Sequence, residues 1–163
     1  MSAAQAQAAA PQPLAGLRVV EFTHMVMGPT CGLVLADLGA EVIKVEPIDG
    51  ESTRTLLGAG TGFFPLFNRN KKSIAIDLRQ PEGAAVAQRL ALSADVVAEN
   101  FKPGALAKYG LDHAALSALN ERLIYVSCKG FLPGPYEHRT ALDAVVQMMG
   151  GLAYMTGRPG DPL

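Results

Sequence analysis

From Leu17 onward the apolar positions of this chain switch repeatedly between two periods. "LRVVEF" (17–22) is compact and β-branched, as a strand is. "PTCGLVLADLGA" (29–40) sets Leu33, Leu35 and Leu38 at helical spacing, with Gly39 as a stop. "EVIKVE" (41–46) predicts a second strand closed by Pro47, followed by a Gly/Ser/Thr-rich loop over 48–62. "SIAIDL" (73–78) alternates cleanly. "PEGAAVAQRLALSA" (81–94) predicts a helix with Pro81 in the tolerated first turn and Glu82 beside it to complement the dipole. "DVVAEN" (95–100) and "LIYVSCKG" (123–130) read as strands, separated by two short helices, "GALAKYG" and "DHAALSALN". "ALDAVVQMMGGLAYM" (141–155) is helical at least as far as Gly150-Gly151.

Strands that alternate with helices and read as continuous apolar runs predict a parallel sheet covered on both faces. The expected fold is therefore α/β, a Rossmann-like, doubly wound and mostly parallel sheet. Residues 1–13 form an Ala/Gln-rich tail expected to be flexible, and residues 14–163 form the domain. The closing stretch "GRPGDPL" has loop composition and completes no element, which suggests a truncated chain.

Composition narrows the function classes. With 163 residues, 49% hydrophobic, 18% charged and a formal charge of -1, the chain suits one globular domain. The charge argues against nucleic-acid binding, and no apolar run approaches a membrane span. Cys31 and Cys128 have no metal-ligand spacing, so no metal is expected and a reduced, cytoplasmic setting is the default.

In doubly wound folds ligands gather at the carboxyl ends of strands. The first such turn, "FTHMVMGPT", has only Gly28 where a dinucleotide fold carries GxGxxG, so NAD is disfavoured. Glu46 then reads as a strand-end cap. Arg69, Lys71, Lys72, Arg79, Lys102 and Lys108 read singly as surface charges, yet several at strand ends could converge on one polyanion. Phe101 or Tyr109 could stack on a flat ring, and Asn100 could hydrogen-bond a base or an amide. A ligand with clustered phosphates, a purine and an amide-containing arm fits this mix, and coenzyme A is such a ligand.

Four stretches, "LAGLRVVEFTHMVMGPTCGLVLADLGAEVIKVEP", "FNRNKKSIAIDL", "ADVVAENFKPGALAKYGLD" and "LNERLIYVSCKGF", together resemble the class III coenzyme A transferases. This is the family of formyl-CoA transferase and carnitine CoA-transferase, and the resemblance runs from about Leu14 to Leu163. It implies a CoA site that includes Asn100, Phe101 and Lys102, with Lys108 near the phosphates. Ile76 to Arg79 would border the adenine, and Val26 with Met27 would lie near the pantetheine and thioester. Ile76 also reads as core, and Lys102 as a plain surface charge.

The resemblance further implies transfer of CoA between an acyl-CoA thioester and a carboxylic acid through an aspartyl-CoA intermediate. The nucleophilic aspartate would lie beyond residue 163. Asp161 falls too early for it and reads as a turn residue, and Asp143 reads as structural, with Arg139 as its candidate partner. An interlocked homodimer is implied for the intact protein. Two departures from formyl-CoA transferase stand out: Val26 replaces a glutamine, and Pro47 replaces an adenosine-contacting arginine. A related α-methylacyl-CoA racemase would need a histidine where this chain has Leu142, and leucine cannot transfer a proton. Two alternatives remain: a non-catalytic CoA-binding fragment, and a plain α/β interaction module with no affinity for CoA.

Overall fold

The computed structural model describes residues 12–139, 141–158 and 160. Most of the 1–13 tail, and Asp161, lie outside the described residues. Five strands form one sheet: β1 (Arg18–Phe22), β2 (Glu41–Glu46), β3 (Lys72–Ala75), β4 (Val96–Glu99) and β5 (Ile124–Ser127). Their order is β3-β2-β1-β4-β5 and each neighbouring pair is parallel. Register is set across the centre by Val20, which pairs with Ile43 on one side and Val97 on the other. The order reverses direction between β1 and β4, the position where a doubly wound sheet opens a crevice for ligand.

Helix α1 (Met27–Asp37) follows β1, α2 (Phe63–Phe67) precedes β3, and α3 (Pro81–Leu92) and α4 (His113–Ser117) flank β4. Helix α5 (Asp143–Met149) closes the described part. Gly39 ends the first helical segment at φ 102°, a left-handed geometry that costs glycine little. Pro81 occupies the first turn of α3, with Glu82 beside it.

Alternation along the strands separates two apolar layers. Val20, Phe22, Val45 and Val97 pack with Ala87, Ala91, Leu106, Leu111 and Leu116 of the α3 and α4 side. Val19, Val42 and Val96 pack with Ala36 and Ala40 of the α1 side. Each buried Val, Leu or Phe among these contributes about 1.5–3 kcal/mol relative to exposure. The α1-side layer is apolar only towards the amino ends of the strands. Further along, the same face presents Glu21, Lys44 and Glu46, all buried.

Several boundaries differ from the sequence reading. The third strand begins at Lys72 and ends at Ala75, because Ile76 turns inward to the core and Asp77 opens the next turn. "GALAKYG" forms only a single 3-10 turn over Ala107–Tyr109, ended by Gly110 at φ 64°. The final helix stops at Met149. The loop over 48–62 contains two 3-10 turns, Ser52–Thr55 and Gly58–Gly60.

Candidate functional site

The turn between β1 and α1 stands at the switch point and is held from two sides. The Asn100 side chain, immediately after β4, accepts from the His24 N–H at 2.9 Å and donates to the His24 carbonyl at 2.8 Å. One N–H and one lone pair of that amide remain for a ligand. The next residue, Met25, has φ 62°, uncommon for a side chain other than glycine. Its N–H donates to Glu51 Oε1 at 2.9 Å. Gly28 is required by close approach, since a Cβ there would sit 2.7 Å from Asn100 Cγ.

Beneath this turn lies a buried ionic cluster drawn from four segments. Lys44 Nζ donates to the Thr23 carbonyl at 2.8 Å and lies 3.1 Å from Glu51 Oε2 and 3.6 Å from Glu21 Oε1. Lys71 Nζ donates to Glu21 Oε1 at 2.8 Å and to the Pro29 carbonyl at 2.7 Å, tying β3's approach to the first turn of α1. Burial pushes the Lys71 ammonium below its ordinary value, and Glu21 offsets part of that. Two lysines against two glutamates leave no net charge among these four side chains, which is what such burial demands.

Glu46 is fully engaged inside the protein. It accepts from Arg54 Nε and Nη2, each at 2.7 Å, from Ser73 Oγ at 2.6 Å and from the Glu51 N–H at 2.9 Å. Burial raises its pKa, and these bonds overcome that to hold it at about 2. The strand-end cap reading of Glu46 is the one the geometry supports.

The other wall of the crevice is the turn Asn100-Phe101-Lys102. Glu99, buried at the end of β4, accepts from the Phe101 N–H at 2.9 Å, from Ser127 Oγ and from Lys129 Nζ at 2.7 Å. Lys129 also donates to the Phe101 carbonyl. The Phe101 ring packs on the His24 imidazole, centroids 5.0 Å apart. Burial is the main cause holding His24 below its ordinary pKa; Glu51 pulls it up, while Lys44 and Lys129 push it down. Beside this turn opens a cleft of about 510 Å³ lined by Lys102, Leu106, His113, Tyr125, Lys129 and Phe131, among others.

The structure sets the β1–α1 turn, which carries Val26 and Met27, against Asn100 and Phe101 through His24; of the expected site residues only Lys102 lines the cleft described above. Val26 caps α1 and Met27 is half exposed in its first turn. Lys108 and Arg79 belong to a second group on the α3 side. Lys108 Nζ lies 4.8 Å from the Tyr109 ring centre, and exposed Arg79 is ion-paired to Asp77 at 2.8 Å. The Ile76 side chain is buried in the core, so only its backbone can border a ligand.

The expected convergence of cations is smaller than the sequence suggests. Arg69 pairs with Asp37 at 2.6 Å, Lys71 with Glu21, and Lys72 with Glu41 at the opposite end of the sheet. Arg79, Lys102 and Lys108 remain at the surface. Asp143 accepts from Gln147 at 2.9 Å, whereas the Arg139 guanidinium lies over the Tyr136 ring. Burial, with a smaller contribution from the neighbouring Cys31, pushes the Cys128 thiol up to about 11, far from a nucleophile's range. Glu51, Lys44 and Lys129 were not legible as site residues. Only Lys44 gave a signal, a cation in the middle of an apolar strand. Among the described residues no cluster of three or more His, Cys, Asp or Glu is placed to hold a metal, and no helix is long and apolar enough to cross a membrane.

A parallel sheet of order 3-2-1-4-5 with two side-chain-clamped turns at its switch point defines a doubly wound α/β domain. Residues 14–163 match CoA-transferase family III, and the chain belongs to that family. It is 45% identical over 93% of its length to a succinate–glutarate CoA-transferase of Agrobacterium fabrum, covering 41% of that protein. It is 44% identical over 92% of its length to a formyl-CoA:oxalate CoA-transferase of Rhodopseudomonas palustris, covering 37%. A CAIB/BAIF family structure from Brucella suis superposes with a TM-score of 0.85 at 45% identity, covering 93% of this chain and 43% of that one. The chain therefore spans about two fifths of the length of these relatives.

Proposed function

We propose that these residues form the CoA-binding part of a transferase that moves coenzyme A between an acyl-CoA thioester and a carboxylic acid. The observation that carries this reading is the double clamp of Asn100 on His24, which joins the two turns of the switch-point crevice in a chain of this family. The residues fit the ligand's chemistry. Arg79, Lys102 and Lys108 offer cations for phosphates, Phe101 and Tyr109 offer rings, and Asn100 retains one donor and one acceptor for an amide.

In the proposed reaction an aspartate from beyond residue 163 attacks the thioester carbonyl and expels CoA thiolate, leaving a mixed anhydride. The thiolate attacks the aspartyl carbonyl and releases the first carboxylate, giving aspartyl-CoA. The acceptor carboxylate then displaces the thiolate to form a second mixed anhydride. The thiolate attacks the acceptor's acyl carbon and frees the aspartate. Carboxylates serve because each can be displaced again. We further propose a homodimer for the intact protein.

The test is CoA exchange by the full-length protein as its source makes it, with acyl-CoA and free carboxylates followed by mass spectrometry. Exchange, with a CoA-thioester adduct on the protein trapped by acid quench, supports the reading. CoA binding without exchange would favour a non-catalytic CoA carrier, and no binding would overturn both.

A further inference from the structure

We propose that Glu51 is a positioning residue for the site: from the loop after β2 it holds the β1–α1 turn in the shape that presents His24, Val26 and Met27 to the ligand. The inference rests on reading the crevice as the CoA site. Glu51 is 4% exposed, and its carboxylate is aimed at the turn rather than at solvent. Oε1 accepts the N–H of Met25, the residue forced to φ 62°. Asn100 fixes His24 on one side of that residue, and α1 begins two residues beyond it. The Oε1 acceptor thus holds the Met25 N–H while the residue sits in its unfavourable conformation.

Glu51 is itself anchored from several directions. Its own N–H donates to Glu46, Thr53 Oγ1 donates to Oε1, and Lys44 Nζ stands 3.1 Å from Oε2. Lys44 in turn donates to the Thr23 carbonyl, one residue before His24. The loop after β2 is therefore coupled to the β1–α1 turn twice, once directly and once through Lys44. Glu51 also acts on His24 electrostatically, opposed by Lys44 and Lys129, with the Phe101 ring covering the imidazole.

The experiment compares wild type, Glu51→Gln and Glu51→Ala in the full-length protein. Glu51→Gln keeps an acceptor for Met25 and removes the charge; Glu51→Ala removes both. The Ala variant should lose about tenfold or more in kcat/KM for acyl-CoA, as small displacements of a reacting geometry do, and the Gln variant less. Adding Met25→Gly to Glu51→Ala should restore part of that loss, because glycine holds a positive φ unaided. Independently of activity, the His24 imidazole, followed by NMR, should titrate lower in Glu51→Gln than in wild type. Lower melting temperatures with unchanged kinetics and an unchanged His24 titration would overturn the proposal. A wild type that exchanges no CoA, with the His24 shift present, would sink the functional reading and leave Glu51's hold on the turn intact.

Discussion

The side-chain amide of Asn100 holds both backbone polar groups of His24, although 76 residues separate them in the chain. This one side chain welds the end of β4 to the end of β1 across the point where the sheet reverses direction. Two turns that would otherwise move independently become one rigid rim, and the stacking ring of Phe101 rides on the same piece of backbone.

Replacing Asn100 by alanine should therefore cost more than two surface hydrogen bonds. It strands a half-buried N–H and a carbonyl, an effect on the order of 1–3 kcal/mol in a urea melt. Asn100→Asp keeps the acceptor for the His24 N–H but sets an anion against the His24 carbonyl, so its loss should fall close to that of alanine. Coenzyme A affinity, measured by calorimetry, should drop in both variants. Unchanged affinity in both would separate the clamp from the ligand site.

Gly32 faces the buried ions. A Cβ at this position would lie 1.8 Å from Glu21 Oε2 and 3.1 Å from Lys71 Nζ. Gly32→Ala should destabilise the fold by on the order of 3 kcal/mol, since neither ion can retreat without leaving its partner. Gly62→Ala, where a Cβ meets nothing within 4 Å, is the matched control and should stay within about 0.5 kcal/mol of wild type.

Acid should act through Glu46. Its pKa is held at about 2 in the fold against 4.5 for the free side chain. A depressed folded pKa gives stability that is complete above about pH 4.5 and is lost as pH falls towards about 2. Arg54 is partly exposed, so solvent trims the contribution to on the order of 2 kcal/mol. Glu46→Gln should lower stability at pH 7 and flatten the stability curve between those two pH values. A Glu46→Gln curve parallel to wild type over that range would refute this assignment.

Cys128 should be slow to alkylate. With its thiol pushed up to about 11 from 9.0, its thiolate population at neutral pH falls about a hundredfold. Site-resolved mass spectrometry after iodoacetamide at pH 7.5 should find modification at Cys128 lagging far behind that of an ordinary exposed thiol. Rapid labelling would mean that the burial of this thiol does not persist in solution.

The strands and long helices were legible because their signals are local. A parallel sheet buried on both faces favours short β-branched apolar runs, and "LRVVEF", "EVIKVE" and "DVVAEN" supply them, despite the charged residues within each, within a few residues of their observed limits. Helix α2 escaped because "FFPLF" carries a proline inside five residues and follows a glycine-rich loop. The misplaced cations failed for a different reason. Lys71 reads as a surface charge beside Lys72, and the residue that buries it, Glu21, lies 50 positions earlier. Asn100 was legible as a site residue by its place after β4, but its attachment to His24 depends on strand order, which no local pattern encodes.

Glu21, Lys44, Glu51 and Lys71 come from β1, β2 and the two loops that follow β2, and none of the four can be exchanged alone without leaving an odd charge in the interior. Natural variation at these positions is then constrained as a set. A lineage that neutralises one would have to neutralise an opposite partner in the same step or soon after, so among relatives the four identities should change together or stay as they are.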